Sequence, residues 1–421
     1  MRIERVLSHP LFLLGALSLG LAIGVLLPDL AKSLAPIGHV YVNMVKMVVL
    51  PYLVAVIITA LALSEIKLTS VGWLVRLVPS LPLTTVAAAV VTTVVVKIVQ
   101  PGIELGDDDR GALAMLARNV GEPELTMTLF GSEVHKEDSI ITQAIQHLVP
   151  RNFFEALGTG QVLQVVFFCL LFGFALRNIP TEAASPVLRL LATLRSGLQS
   201  MVNALVLVLP LALIAIIATQ ISEAGSHALM AMGGFLESLF IGAGAIALIS
   251  LMVLSWQTRT HPLRALGKLR APLLMALVSR NPVDMVPPAV QAMGKGFGYT
   301  GHETGVVLPL TLLLNRAGLI CFYLTATHFM AAIYHIDLTF GQEVMLILAS
   351  LMGSVVGAGS AGVLGVAMLS PIAMIVGVPM DAALPLFLVV DNISDLARGP
   401  ATVLTGCALA SFVCEKSEAK P

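Results

Sequence analysis

Residues 379–414 read PMDAALPLFLVVDNISDLARGPATVLTGCALASFVC. The stretch is long enough to cross a bilayer as a helix, yet it carries Asp391, Asp395 and Arg398 among apolar neighbours. Offsets of four, three and seven residues set the three side chains on one helical face. An ionised group at mid-bilayer costs at least ~2.5–3.5 kcal/mol, so such charges persist only with partners. Two carboxylates and a guanidinium on one stripe suit a small zwitterion carrying an extra carboxylate. The plainer reading is an ion-pair network that ties the helix to its neighbours. Function is favoured, because ionisable groups inside a membrane mark function by default.

The rest of the chain fits a membrane setting. Of 421 residues, 57% are hydrophobic and 12% charged, and mean hydropathy is +0.93, whereas soluble domains carry about 25% charge. Glycine (35) and proline (23) are abundant, a bias membrane helices tolerate. The net charge of −1 names no electrostatic partner, and nothing points to nucleic acid. Cys169, Cys321, Cys407 and Cys414 lie in or beside apolar segments without metal or disulfide spacing, and read as packing residues. His135, His147 and His302 have no partner at ligand spacing, and the glycine-rich run Gly294–Gly298 lacks a phosphate loop's spacing. No cofactor is expected. Met1–Pro10 is a charged lead-in with no small-residue cleavage site after the apolar run that follows, so that run reads as a retained first span.

Apolar runs long enough to span occur at Leu11–Leu27, Tyr41–Leu63, Val71–Val99, Gln161–Leu176, Ser185–Gln220 and Ala228–Trp256. Others begin near Leu273, Val306 and Val344, before the C-terminal one. Two are interrupted, by polar residues and prolines over Val278–Pro288 and by five glycines over Gly353–Gly365. Irregular backbone at membrane depth needs protein or a water-filled cavity around it, so each interruption reads as the tip of a re-entrant hairpin. The expected fold is therefore an all-α polytopic membrane protein with eight spans and two helical hairpins. Paired broken helices suggest an inverted repeat and point to a transporter's binding site. Arg2 and Arg5, with Arg259, Arg264, Lys268 and Arg270, put both termini in the cytoplasm. The polar stretch Gly102–Ile140, with its acidic segment Glu104–Asp109, reads as an external excursion.

Several motifs carry a resemblance. Lys46–Pro51 reads KMVVLP, Val149–Leu157 reads VPRNFFEAL, and Gln161–Gln164 reads QVLQ. Val307–Leu310 precedes Asn315-Arg316-Ala317-Gly318-Leu319, and Asp391–Arg398 reads DNISDLAR. In this order, over nearly the whole chain, they resemble the dicarboxylate/amino acid:cation symporter family, which includes the glutamate and aspartate transporters. The resemblance implies a homotrimer in the inner (plasma) membrane, each subunit a single transporter unit. Its scaffold would cover residues 1–64 and 139–220, and its mobile transport domain 71–100 and 228–414, beside the excursion 102–138. The transport domain would carry substrate by an elevator movement, with the second hairpin as gate. By the same resemblance Asp395 would hold a substrate amino group and Arg398 a side-chain carboxylate. Arg280 on the first hairpin would neutralise the last-span aspartates. Asp391, Asn281, Thr402 and the tip glycines Gly357 and Gly359 complete the candidate substrate site.

The chain departs from that pattern where function is expected. Its first hairpin tip reads Arg280-Asn281-Pro282-Val283-Asp284 in place of a serine-rich one. Pro282 offers no backbone N–H, and Asp284 brings negative charge toward the expected seat of an anion. Ala317 and Cys407 stand where the family keeps carboxylates for a cation. Asn315, Thr84 and Thr85 remain as cation-site remnants, and Arg316 is expected to stand in for the missing ion. Asn315 and Arg316 have plainer readings as an interrupted helix or a salt bridge to Asp284, as Gly357, Gly359 and Gly362 do as helix-packing residues. Lys46 and Glu237 read as snorkelling or internally paired.

The function expected is symport of an acidic amino acid or related dicarboxylate, with sodium coupling reduced or lost. A proton taken up at Asp391 or Glu303 would couple instead. One rival is a transport-incompetent relative acting as substrate sensor or anion channel. A second, an intramembrane protease with an aspartate dyad, needs carboxylates that share a proton, and Arg398 on the same face opposes that.

Overall fold

A computed structural model describes residues 10–62, 72–102, 151–224, 232–356, 363–378 and 384–416. The chain begins with α1 (Pro10–Leu26) and α2 (Pro28–Ala62), parted at Pro28. Next come α3 (Gly72–Val99), the short α4 (Phe153–Gly158), α5 (Val162–Arg177), α6 (Thr181–Ala224) and α7 (Gly233–Thr258). Six stretches of the described residues are long and apolar enough to cross a membrane. They fall within α2, α3, α6, α7, the pair α11–α12 described below, and the last helix. The outcome is a nearly all-helical, polytopic membrane protein.

The helices pack in two groups. In the first, α1 and α2 lie on α6, and α5 lies on α2. Small residues set that packing: a Cβ at Gly20 would come 3.0 Å from the Ile214 carbonyl oxygen, and one at Gly24 2.8 Å from that of Ala218. Lipid tails give helices no hydrophobic reason to associate, so close backbone approach supplies the contact. In the second group, α7 packs on α3 and on the helices that end the chain. There Phe235 meets Phe387 edge-on at 5.1 Å and Phe322 at 5.7 Å, the arrangement aromatic quadrupoles favour.

The interrupted run at Val278–Pro288 folds back on itself. After α8 (Pro262–Lys268), α9 (Arg270–Val278) stops at Ser279, and a 3₁₀ turn, Pro282–Met285, leads into α10 (Val286–Gln291). Pro282 and the pair Pro287-Pro288 stand in the first turns of their elements, where a missing N–H does no harm. The turn and α10 pack against α9, which makes the hairpin. A second break parts α11 (Gly301–Leu314) from α12 (Ala317–Ile333), leaving Asn315 and Arg316 non-helical. Then follow α13 (Phe340–Val356), α14 (Val363–Ala367), α15 (Leu369–Met374) and α16 (Leu384–Val413). Lys97 at the end of α3 pairs with Glu343 in the first turn of α13 at 2.7 Å.

Several boundaries differ from the sequence reading. The second helix starts at Pro28 rather than Tyr41, because Asp29, Lys32 and His39 fall outside the apolar run yet remain helical. α6 has 44 residues, about 66 Å at 1.5 Å per residue, so its ends project well beyond a hydrocarbon core about 30 Å thick. All of the lead-in Met1–Pro10 but Pro10, all of the excursion Gly102–Ile140 but Gly102, and the tip glycines Gly357, Gly359 and Gly362 lie outside the described residues.

Candidate functional site

α16 presents Asp391, Asp395 and Arg398 together. Arg398 Nη2 donates to Asp391 Oδ1, to the Asp391 carbonyl at 3.1 Å, and meets Asp395 Oδ1 at 2.6 Å. Its guanidinium lies over the Phe322 ring, 4.3 Å from the centroid, a cation–π contact that fixes its plane. Arg280, beside the hairpin turn, reaches Asp395 Oδ2 at 3.7 Å. Thr402 donates to the Arg398 carbonyl at 2.9 Å and accepts from the Gly318 N–H at 3.3 Å.

Two glycines let the backbones meet. A Cβ at Gly318 would fall on the Arg398 carbonyl, and one at Gly399 on that of Ala276. These contacts bring the break before α12 and the end of α9 onto the charged face of α16. A cavity of about 40 Å³ lies between them, lined by Ser279, Arg280, Arg316, Asp391, Asp395 and Arg398 among others. Bounded by the described residues, that is room for about three waters.

Asn281 does not line the cavity; its Oδ1 caps the 3₁₀ turn by accepting from the Val283 N–H at 3.2 Å. Asp284, expected to face the substrate, is buried behind the tip. Its Oδ2 accepts from the Ser279 hydroxyl, and its charge is felt by Lys46 and Tyr41 on α2. Glu303 is engaged in the first turn of α11, away from the cavity, accepting from the Glu415 N–H at 2.5 Å where the ends of α11 and α16 meet. Asn315 Nδ2 donates to Thr84 Oγ1 at 3.0 Å, whereas the Thr85 hydroxyl turns to its own helix, donating to the Leu81 carbonyl at 3.0 Å. Ala317 and Cys407 are fully buried among apolar side chains.

Among the described residues, Asn315 Oδ1, Tyr323 Oη and Arg398 Nε are buried without a hydrogen bond, and of the three residues Arg398 lines the cavity. A group so placed carries a desolvation penalty of about 1–3 kcal/mol, which an occupant that accepts from Arg398 Nε would relieve. Sequence reasoning missed Ser279, Phe322 and Tyr323. Ser279 had a signal, standing next to Arg280 at the end of an interrupted apolar run; the two aromatics, 76 and 75 residues before Arg398, had none.

The sequence pattern of the sodium:dicarboxylate symporter family matches residues 10–417. A C4-dicarboxylate transport protein of Xanthomonas campestris pv. campestris (strain B100) is 26% identical over 405 residues, 96% of this chain and 86% of that protein. A proton/sodium-glutamate symport protein of Bacillus subtilis (strain 168) is 26% identical over 423 residues, 99% of this chain and 94% of that protein. A C4-dicarboxylate transport protein of the same Bacillus strain is 24% identical over 408 residues, 96% of this chain and 92% of that protein.

Proposed function

The chain belongs to the sodium:dicarboxylate symporter family, and from that premise we propose that it carries a small acidic amino acid or C4-dicarboxylate across the membrane by secondary transport. It is a membrane transporter and not an enzyme. The observation that carries the substrate reading is Arg398, buried with an unpartnered Nε in a cavity it shares with Arg280. A planar guanidinium is the group best suited to hold a carboxylate by two parallel bonds. Asp395, half-turned to the cavity and paired at 3.7 Å with Arg280, exchanges that loose partner for a substrate ammonium.

In this reading eight spans and two hairpins make up the subunit. The group α1, α2, α5 and α6 is the static scaffold of a homotrimer. The remaining long helices and both hairpins form the transport domain, which moves as an elevator with the second hairpin as gate. The two packing groups support that division, since bodies that pack mainly within themselves can slide past each other. Sodium coupling is weak or lost, with proton coupling in its place.

Calorimetric titration of the purified protein with L-aspartate, L-glutamate and succinate tests the site. Binding of at least one, weakened by about tenfold or more in Asp395→Asn or Arg398→Lys, is expected. Equal affinity in wild type and both variants would move the substrate elsewhere.

A further inference from the structure

Ser279 closes α9 and belongs to both sides of the first hairpin. It lines the cavity beside Arg280 and Arg398, while its hydroxyl donates to Asp284 Oδ2 behind the tip. The same oxygen accepts from the Asn281 N–H at 3.3 Å. A hydroxyl has one proton to donate. Ser279 therefore gives it either to Asp284 or to an occupant of the cavity, and not to both.

Asp284 is placed so that this choice has consequences. It is 2% exposed, and the 3₁₀ turn that bears it packs against α2, α9, α10, α11 and α16. From α2, Lys46 and Tyr41 lie within its field. α10 brings no ionisable side chain, α11 keeps His302 and Glu303 in its first turn, and α9 keeps Arg270 at its far end. Asp391, Asp395 and Arg398 of α16 are engaged with one another and with Arg280. A donated hydrogen bond and a nearby ammonium both favour an ionised carboxylate, and burial opposes it. While the cavity is empty, Ser279 and Lys46 supply those two supports. When Ser279 turns to a bound anion, one support is gone and the balance moves toward the neutral acid.

We propose that Asp284 is the proton-coupling carboxylate of this protein, taking up one proton from solvent when substrate claims the Ser279 hydroxyl. This rests on the substrate site and the proton coupling described under Proposed function. The carboxylic acid so formed donates to Ser279 Oγ, and Ser279 donates to a substrate carboxylate oxygen, so the bond given up is replaced on both sides. The proton leaves when the substrate does, because Ser279 then returns to Asp284. Asp391 and Glu303 have no such connection: Asp391 accepts from Arg398, and Glu303 accepts from the Glu415 N–H away from the cavity.

The test is calorimetric titration of the purified full chain with L-aspartate, L-glutamate and succinate in two buffers of different ionisation enthalpy, at about pH 5.5, 6.5 and 7.5. The difference between buffers counts the protons taken up per ligand bound. In wild type the count should approach about one in part of that range, and Kd should rise with pH there by up to about tenfold per unit. Asp284→Asn should still bind, with no proton uptake and a Kd that varies by less than about twofold across the range. Ser279→Ala leaves Asp284 without the hydroxyl in both states, so its proton uptake should be lost as well. That variant carries the test if the asparagine variant fails to fold. Proton uptake unchanged in either variant overturns the proposal alone. Wild-type binding without proton uptake at any pH overturns it together with the proton coupling, and binding of none of the three ligands overturns the substrate site as well.

Discussion

Arg398 engages Asp391 and Asp395 through Nη2 and rests on Phe322, with its side chain only 7% exposed. Removing it would strand two carboxylates at membrane depth. Arg398→Ala is therefore expected to lower stability by about 3–5 kcal/mol, the usual result of deleting one partner of a buried pair. Arg398→Lys keeps the charge and most of the stability but loses the fork. Thermal unfolding in detergent separates the two variants, and near-identical melting would mean that the carboxylates find other partners. Asp284→Asn is the counterpart: facing Ser279 and Lys46 and not the cavity, it should change substrate affinity far less than Asp395→Asn does. An equal loss in both would put Asp284 back at the substrate. The triad on α16 was legible because its spacing lies within one helix. Asp284, Asn281 and Glu303 were not, because their partners are decided by a turn, a cap and a meeting of helix ends.

Glycine contacts hold the broken elements in place. Gly318→Ala and Gly399→Ala each drive a Cβ into a carbonyl of a neighbouring element, and overpacking of this kind costs about 1–3 kcal/mol. Gly197, inside α6 with nothing within 4 Å of its would-be Cβ, is the control, and Gly197→Ala should be neutral or slightly stabilising. Equal melting temperatures for all three variants would mean that the contacts at Gly318 and Gly399 relax freely. At this level the first hairpin was readable from Val278 to Pro288, since prolines and polar residues in an apolar run leave few other outcomes. The Asn315-Arg316 break was weaker in the sequence: two polar residues suffice to part α11 from α12, without a proline between them. The true start of α2 was hidden because helical hydrogen bonding continues past the apolar run, through Pro36 and into the polar turn at Asp29.

For the molecule as a whole, the apolar runs announced a polytopic membrane protein, and the ordered motifs from Lys46 to Arg398 announced its family. How the helices sort into two packing groups could not be read from composition or spacing and came only as what the resemblance implied, because it depends on matching grooves such as Gly20 and Gly24 against α6. In the proposed mechanism those groups are scaffold and carrier. Covalently linking the two groups should then abolish transport while leaving substrate binding within about threefold of wild type. A cysteine pair across the contact of α2 with α11, near Val56 and Gly305, would serve. Undiminished transport after cross-linking would contradict relative movement there. The most direct measurement is uptake of labelled L-aspartate and succinate into proteoliposomes, with sodium and proton gradients imposed separately. Accumulation under a proton gradient, without dependence on sodium, is the result expected. Accumulation that requires sodium would contradict the loss of sodium coupling, and binding without accumulation under either gradient would contradict a transporter altogether.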